Sequence, residues 1–173
     1  RFHGSTFSAP LSYGMLKLQR CCLFLCLALG AVVTSAQPYW AEDVGGIGND
    51  HVADVVVDTD GSIYITGEFG GTMVFGGQTY PSAGSIDMFM ARLDPTGAVT
   101  WFWRGGGSGI DRGLKVSLGT GDVLAVAGEF LGTATFQGQR LTGAGGTADM
   151  FVAVVNKSDG SLQWIRKGGG SAG

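Results

Sequence analysis

Cysteine is confined to the start of the chain, at Cys21, Cys22 and Cys26, and nothing after residue 26 carries a thiol. Most of the sequence therefore has no disulfide to staple it, no thiolate to hold zinc and no cysteine nucleophile. Histidine is almost as scarce. Beyond residue 36 only His51 remains, and one imidazole without cysteine anchors neither a zinc site nor a nucleophilic triad. Charged side chains make up 14% of the chain, and few of them are lysine. Past the N-terminal apolar run, no stretch of helical length repeats its apolar residues at a helical period. The glycine runs therefore open no helix on which a phosphate could sit.

Residues 15–36 read as a secretory signal peptide. Met15 opens it, Lys17 and Arg20 make its positive start, and residues 21–33 are its apolar run. Thr34-Ser35-Ala36 puts small residues where cleavage after Ala36 needs them. The run is short for a membrane span, and polar, Gly-rich sequence follows it, which disfavours a retained anchor. Lipidation is disfavoured too, because Arg20 and Leu25 precede Cys21 and Cys26 where a small residue is needed. Residues 1–14 lie upstream of the start residue and are excluded from the fold. Removing both segments leaves eight Lys and Arg against fourteen Asp and Glu, a net charge of −6. That balance argues against nucleic acid or an anionic membrane surface as partner. The expectation is a secreted or cell-surface protein with no membrane span after signal cleavage.

What the rest of the chain has is repetition and glycine. Gly45-Gly46-Ile47-Gly48-Asn49-Asp50 returns 61 positions on as Gly106-Gly107-Ser108-Gly109-Ile110-Asp111. Gly67-Glu68-Phe69 returns as Gly128-Glu129-Phe130 at the same interval. Trp101 returns as Trp164, 63 positions on, so the second copy has gained two residues. Repeat 1 covers 37–100 and repeat 2 covers 101–164. Residues 165–173 begin a third repeat, in which Gly168-Gly169-Gly170-Ser171 restates the opening, and the sequence reads as a fragment of a longer protein. Within repeat 1, strand-forming runs lie at 52–58, 63–65, 72–75, 88–93 and 99–103. Turn signals separate them: Asp58-Thr59-Asp60-Gly61, Gly76-Gly77 and Asp94-Pro95-Thr96-Gly97. Repeat 2 gives matching runs at 123–126, 133–136, 150–155 and 162–165. The expected fold is all-β, four main strands per repeat plus a short extra hairpin, with most of the 32 glycines in tight turns.

Antiparallel strands at this spacing suit a propeller blade, a twisted sheet whose two apolar faces only neighbouring blades can bury. The predicted architecture is a partial beta-propeller: two four-stranded antiparallel blades and the start of a third. The recurring aromatics Phe69/Phe130, Phe75/Phe136, Phe89/Phe151 and Trp101/Trp164 would fill the layers between blades, each contributing roughly 1.5–3 kcal/mol on burial. Two blades leave two faces uncovered, so this segment alone is expected to be poorly soluble or to self-associate. The succession G-G-x-G-x-D, D-x-x-G-x-x-Y-x-x-G-x-F-x-G-T-x-x-F-G and D-x-F-x-A-x-L-D-x-x-G-x-x-x-W resembles the bacterial beta-propeller repeat family known as SBBP. The likeness is densest at Gly71-Thr72, Phe75-Gly76 and Asp87-Met88-Phe89-Met90-Ala91. The second copy departs from it at Gln137, Asn156 and Gly119-Thr120-Gly121-Asp122. The resemblance implies an exported repeat protein of bacterial surfaces, and it brings no catalytic residues with it.

Some motifs invite a chemical reading. The segment from Gly45 to Asp50 matches the core of calcium-binding nonapeptide repeats, but those need tandem copies about nine residues apart. The preferred reading is a Gly-rich turn in which Asp50 and Asp111 accept from backbone amides. Asp58-Thr59-Asp60-Gly61 is like the start of a calcium loop, yet Phe69 stands where its last carboxylate would be needed. A plain β-turn is preferred. Glu68 and Glu129 hold the same place in successive repeats. Paired carboxylates can cleave glycosides, but a repeated Glu more often partners a neighbouring blade's backbone or Arg. Ala91, Asp94, Thr96, Gly97 and Trp101 loosely match the tryptophan-docking motif of quinoprotein propellers, and Asp94 to Trp101 loosely match the sialidase Asp box. Neither accounts for the G-E-F-x-G-T segment. No catalytic, cofactor-binding or metal residue is assigned, and no cofactor is expected. The expected function is a non-catalytic secreted or cell-surface scaffold that binds a protein or glycan through divergent loops at 78–86 and 139–148. Its first partners would be neighbouring blades of the same longer chain. The alternative is a propeller enzyme, quinoprotein-like or glycan-cleaving, whose active-site blades lie elsewhere.

Overall fold

The structure is a computed structural model and describes residues 41 and 44–170. The signal peptide read at 15–36, the upstream segment 1–14 and residues 171–173 of the third repeat lie outside the described residues. Every regular element described is a β-strand. In chain order they are β1 (Gly45–Ile47), β2 (Asp50–Val57), β3 (Ile63–Phe75), β4 (Gln78–Leu93), β5 (Val99–Gly107) and β6 (Asp111–Leu118). The rest are β7 (Val123–Leu131), β8 (Thr133–Phe136), β9 (Gln139–Thr142), β10 (Ala148–Asn156) and β11 (Leu162–Gly168).

Each repeat folds into an antiparallel meander of neighbours in sequence: β2-β3-β4-β5 from repeat 1 and β6-β7-β10-β11 from repeat 2. The connections are the turns that the Asp and Gly residues signal. Asp60 Oδ1 accepts the Ser62 amide at 2.8 Å, and Asp94 Oδ1 accepts the Thr96 amide at 2.8 Å. Gly61 and Gly97 close these turns at φ of 83° and 90°, a left-handed conformation that side chains oppose.

The extra hairpin is present in both repeats but is joined differently in each. In repeat 1, residues 72–75 continue β3 past a register shift at Gly70/Thr72 and pair with 78–81 of β4. In repeat 2 the corresponding residues form the separate strand β8, paired with β9. The segments expected as loops are therefore mostly strand. Residues 78–86 lie wholly inside β4, and within 139–148 only 143–147 fall outside a strand. The first strand of each hairpin also has a further partner along its other edge.

That partner is the Gly-Gly opening of the repeat. The end of β5 runs on to pair with β8, matching Gly105 to Phe136, Gly106 to Thr135 and Gly107 to Ala134, so that β8 and β9 join the sheet of repeat 1. β1 does the same to the hairpin of repeat 1, matching Gly45 to Val74 and Gly46 to Met73. The backbones approach too closely for a side chain. A Cβ on Gly107 would lie 1.9 Å from the Thr133 carbonyl oxygen, and one on Gly46 would lie 1.7 Å from that of Thr72.

The two meanders pack against each other through their faces. Tyr64, Met88 and Met90 of repeat 1 meet Val116, Leu124, Val126, Phe130, Phe136 and Phe151 of repeat 2 in one buried cluster. The opposite face of repeat 1 carries a second cluster, with Ile65, Phe69, Phe75, Phe89 and Leu93 at its centre. All six recurring phenylalanines are buried, whereas Trp101 is half-buried and Trp164 is 43% exposed. The crossing strand should tolerate no bulk. Gly107→Ala is expected to cost about 1–3 kcal/mol of unfolding free energy. Gly170→Ala, which meets nothing within 4 Å, should stay within about 0.5 kcal/mol of the parent in the same urea titration.

Candidate functional site

The junction between the repeats gathers ion pairs and long-range hydrogen bonds. β6 seats repeat 2 on repeat 1 and packs over β2, β3 and β4. Its inward residue Val116 joins the apolar cluster, and the Val116 amide donates to Asp54 Oδ2 on β2 at 3.0 Å. That bond, with Lys115 3.6 Å from Oδ1, holds the Asp54 carboxyl below the usual carboxylate range against the opposing effect of burial. Trp101 of β5 reaches across the junction as well. Its Nε1 donates to the Lys157 carbonyl at 2.9 Å, and its ring lies beside Gly160.

Arg112 brings the two repeated glutamates together. Its Nε lies 2.6 Å from Glu68 Oε2 of repeat 1, and its Nη1 lies 2.7 Å from Glu129 Oε1 of repeat 2. The bond to Glu129 is the main reason the guanidinium is held above its usual range. A fork bonded to two carboxylates is a strong, charge-assisted contact. It engages one oxygen of each glutamate, so that Glu68 is partner to the neighbouring repeat's Arg112 and Glu129 to the same Arg within its own repeat. His51 sits opposite Glu68 in the register as Arg112 sits opposite Glu129.

The other singled-out aspartates are engaged locally. Asp50 and Asp111 accept the Gly46 and Gly107 amides, each at 2.7 Å, as a Gly-rich turn requires. Asp94 Oδ1 takes Thr96 Oγ1 at 2.6 Å and the Ala98 amide at 3.0 Å, all within its own turn. Asp60 takes the Ser62 amide and hydroxyl. Asp58 instead spans the junction to Lys157 Nζ at 2.6 Å, which lowers the carboxyl and raises the ammonium. These two, with Asp60, Tyr64, Arg92 and Asp122, line a polar cleft of about 310 Å³ between the repeats. Among the described residues no three His, Cys, Asp or Glu converge as a metal site would need.

Sequence reasoning passed over Asp87 and Arg104. Asp87 is fully buried on β4, with Oδ2 accepting the Ala83 amide at 2.6 Å and Arg104 Nη1 at 2.9 Å. Asp149 repeats the first of these bonds with the Ala144 amide at 2.7 Å. The available signal was the recurrence of D-x-F, an acid in the middle of an apolar strand.

Equivalent positions differ in exposure according to whether another repeat covers them. Val116 is 4% exposed, whereas Val55, 61 positions earlier, is 53% exposed. Met88 is 0% exposed against repeat 2, and its counterpart Met150 is 63% exposed. Both outer faces therefore present apolar surface. The one around Val52, Val55 and Val57 continues into an apolar hollow with Ile63 and Phe75.

No family model matches the chain. The chain is similar to the regulatory protein FlaEY of Caulobacter vibrioides, at 28% identity over 137 residues, which is 76% of this chain. It spans 13% of that relative's length. The likeness to the bacterial propeller repeats accordingly rests on the motif residues themselves.

Two substitutions separate the junction's polar and apolar parts. Arg112→Met is expected to cost about 1–2 kcal/mol at low ionic strength by leaving Glu68 and Glu129 opposed. The loss should shrink near 0.5 M salt, about where the screening length falls below 5 Å. Trp101→Ala is expected to cost about 3 kcal/mol, the low end for a large aromatic because its ring is half-buried. Trp164→Ala should stay below about 1 kcal/mol. Urea unfolding of the three variants measures all of these.

Proposed function

We propose that this chain is a stretch of an exported beta-propeller scaffold, non-catalytic, whose repeats are blades of a longer array that binds a protein or glycan. The observation that carries the reading is the paired exposure of equivalent residues. Val116 and Met88 are buried where a second repeat covers them, and Val55 and Met150 are open where none does. A sheet with two apolar faces is stable in water only between siblings. The motif likeness and the signal segment read at 15–36 support export. The stretch 143–147 supplies a variable surface at the sheet ends, where repeat folds place recognition. The enzyme reading loses its best pair of acids to Arg112. The regulatory role in the name of FlaEY belongs to that protein. Brought to this chain, it fits a binding role better than a catalytic one.

Sedimentation of the isolated chain is expected to show concentration-dependent assemblies. Val55→Lys combined with Met150→Lys should return it to a monomer with its strand signal intact. A parent chain that stays monomeric and soluble across the concentration range would count against stacked blades. For the binding role, a glycan array and a pull-down with the intact longer protein should each be informative. Blank results in both would count against the scaffold as an adhesive surface.

A further inference from the structure

Two buried carboxylates meet at the junction around one glycine. Asp87 stands on β4 of repeat 1, Asp111 on β6 of repeat 2, and Gly106 of the crossing strand passes close to both. A methyl carbon built on Gly106 would be 2.4 Å from Asp87 Oδ1 and 2.9 Å from Asp111 Oδ2. Both residues are 0% exposed. Asp111 Oδ2 accepts the Gly107 amide at 2.7 Å and Oδ1 the Leu131 amide at 3.2 Å. Asp87 Oδ2 accepts Ala83 N and Arg104, but Asp87 Oδ1 has no hydrogen-bond partner. A buried acceptor left empty is costly, and after burial itself the Asp87 charge adds to what opposes ionisation of Asp111.

From this geometry we infer that Asp87 and Asp111 hold one proton between them, and that this proton sets how firmly repeat 2 is seated on repeat 1. With the proton present, one negative charge remains for Arg104 and the two amides. When the proton leaves to solvent, two charges oppose each other across the crossing strand. Arg104 from β5 touches only the far oxygen of Asp87. Arg112, next to Asp111 on β6, is already engaged by Glu68 of β3 and Glu129 of β7. A divalent cation would want six or more oxygens, whereas here amides already hold both oxygens of Asp111. Burial pushes both carboxyls up, Asp111 to about 6. A raised acid favours the folded junction fully below the ordinary carboxylate range and loses that contribution as pH climbs through about 6. The junction is therefore tightest in mild acid and slackens toward neutrality.

Half of the same arrangement stands on each outer face. A Cβ on Gly169 would lie 1.8 Å from Asp149 Oδ1, and Asp50 Oδ1 is likewise buried without a partner. The device belongs to the repeat and is completed wherever two repeats meet.

The test uses the whole chain. A carbon-13 titration of the aspartate carboxyls should show one of the pair taking up a proton near pH 6. Exchange of the Gly107 and Leu131 amides, corrected for intrinsic rate, should quicken about tenfold to a hundredfold between roughly pH 5 and 7.5. Asp87→Asn supplies the hydrogen permanently and should abolish that rise. Both carboxyls staying ionised to about pH 4.5, or an unchanged rise in Asp87→Asn, would overturn the inference. So would calcium slowing exchange at neutral pH in the parent but not in Asp87→Asn, since the pair would then be a cation site. If Asp87→Asn does not fold, the carboxyl titration of the parent decides alone.

Discussion

The approach of one bare backbone to another governs this molecule. At Gly46 and Gly107 the crossing strand runs so near the carbonyls of Thr72 and Thr133 that no side chain fits. The strand crosses there because pairing with the hairpin satisfies backbone groups that an edge would otherwise leave to solvent. Once it crosses, the rest follows in order. The hairpin is fixed in register, Phe136 is laid over Gly105, and the apolar face of repeat 2 is turned toward Tyr64, Met88 and Met90. Asp87 and Asp111 are both brought close to Gly106 by the same path.

The polar contacts refine that arrangement rather than create it. Arg112 reads one glutamate from each repeat, and Asp54 reads an amide on β6. Contacts of this kind are individually modest when half-exposed, but they are directional, and apolar faces alone are not. A valine layer can slide. A guanidinium fork held by Glu68 and Glu129 cannot slide without losing a bond. Orientation between repeats is thus set by charge, and adhesion by the phenylalanine and methionine layer.

Much of this was legible beforehand, for local reasons. Turns announced themselves through Asp58-Thr59-Asp60-Gly61 and Asp94-Pro95-Thr96-Gly97, whose side chains bond their own backbones. The recurring phenylalanines were expected as interior layers, and the structure buries all six. The Glu68 partner was expected to be a neighbouring repeat's backbone or arginine, and it is Arg112. What stayed hidden depends on distant partners. Glycine has no side chain to show alternation, so the Gly105–Gly107 end of β5 read as a turn although it is a strand paired with β8. The 78–86 segment, expected as a loop, is strand because it folds back on the end of β3, Gln78 pairing with Phe75 and Ile86 with Gly70. Trp164 matched Trp101 in sequence yet is open to solvent, because burial here is decided by a neighbour and not by the residue. Asp87 was marked only as part of the repeat motif, since nothing nearby in sequence points to Arg104 or Asp111 as its neighbours.

The strand that reaches from one meander to the hairpin of the next repeat also bears on how such arrays change in length. Each crossing joins positions separated by a constant interval, as the pairings Gly46–Met73 and Gly107–Ala134 share the same spacing. Gain or loss of whole periods by recombination would preserve every crossing, wherever the breakpoint fell. A fractional insertion would send a glycine strand to a place where no hairpin waits. Selection on such a gene would therefore count in integers.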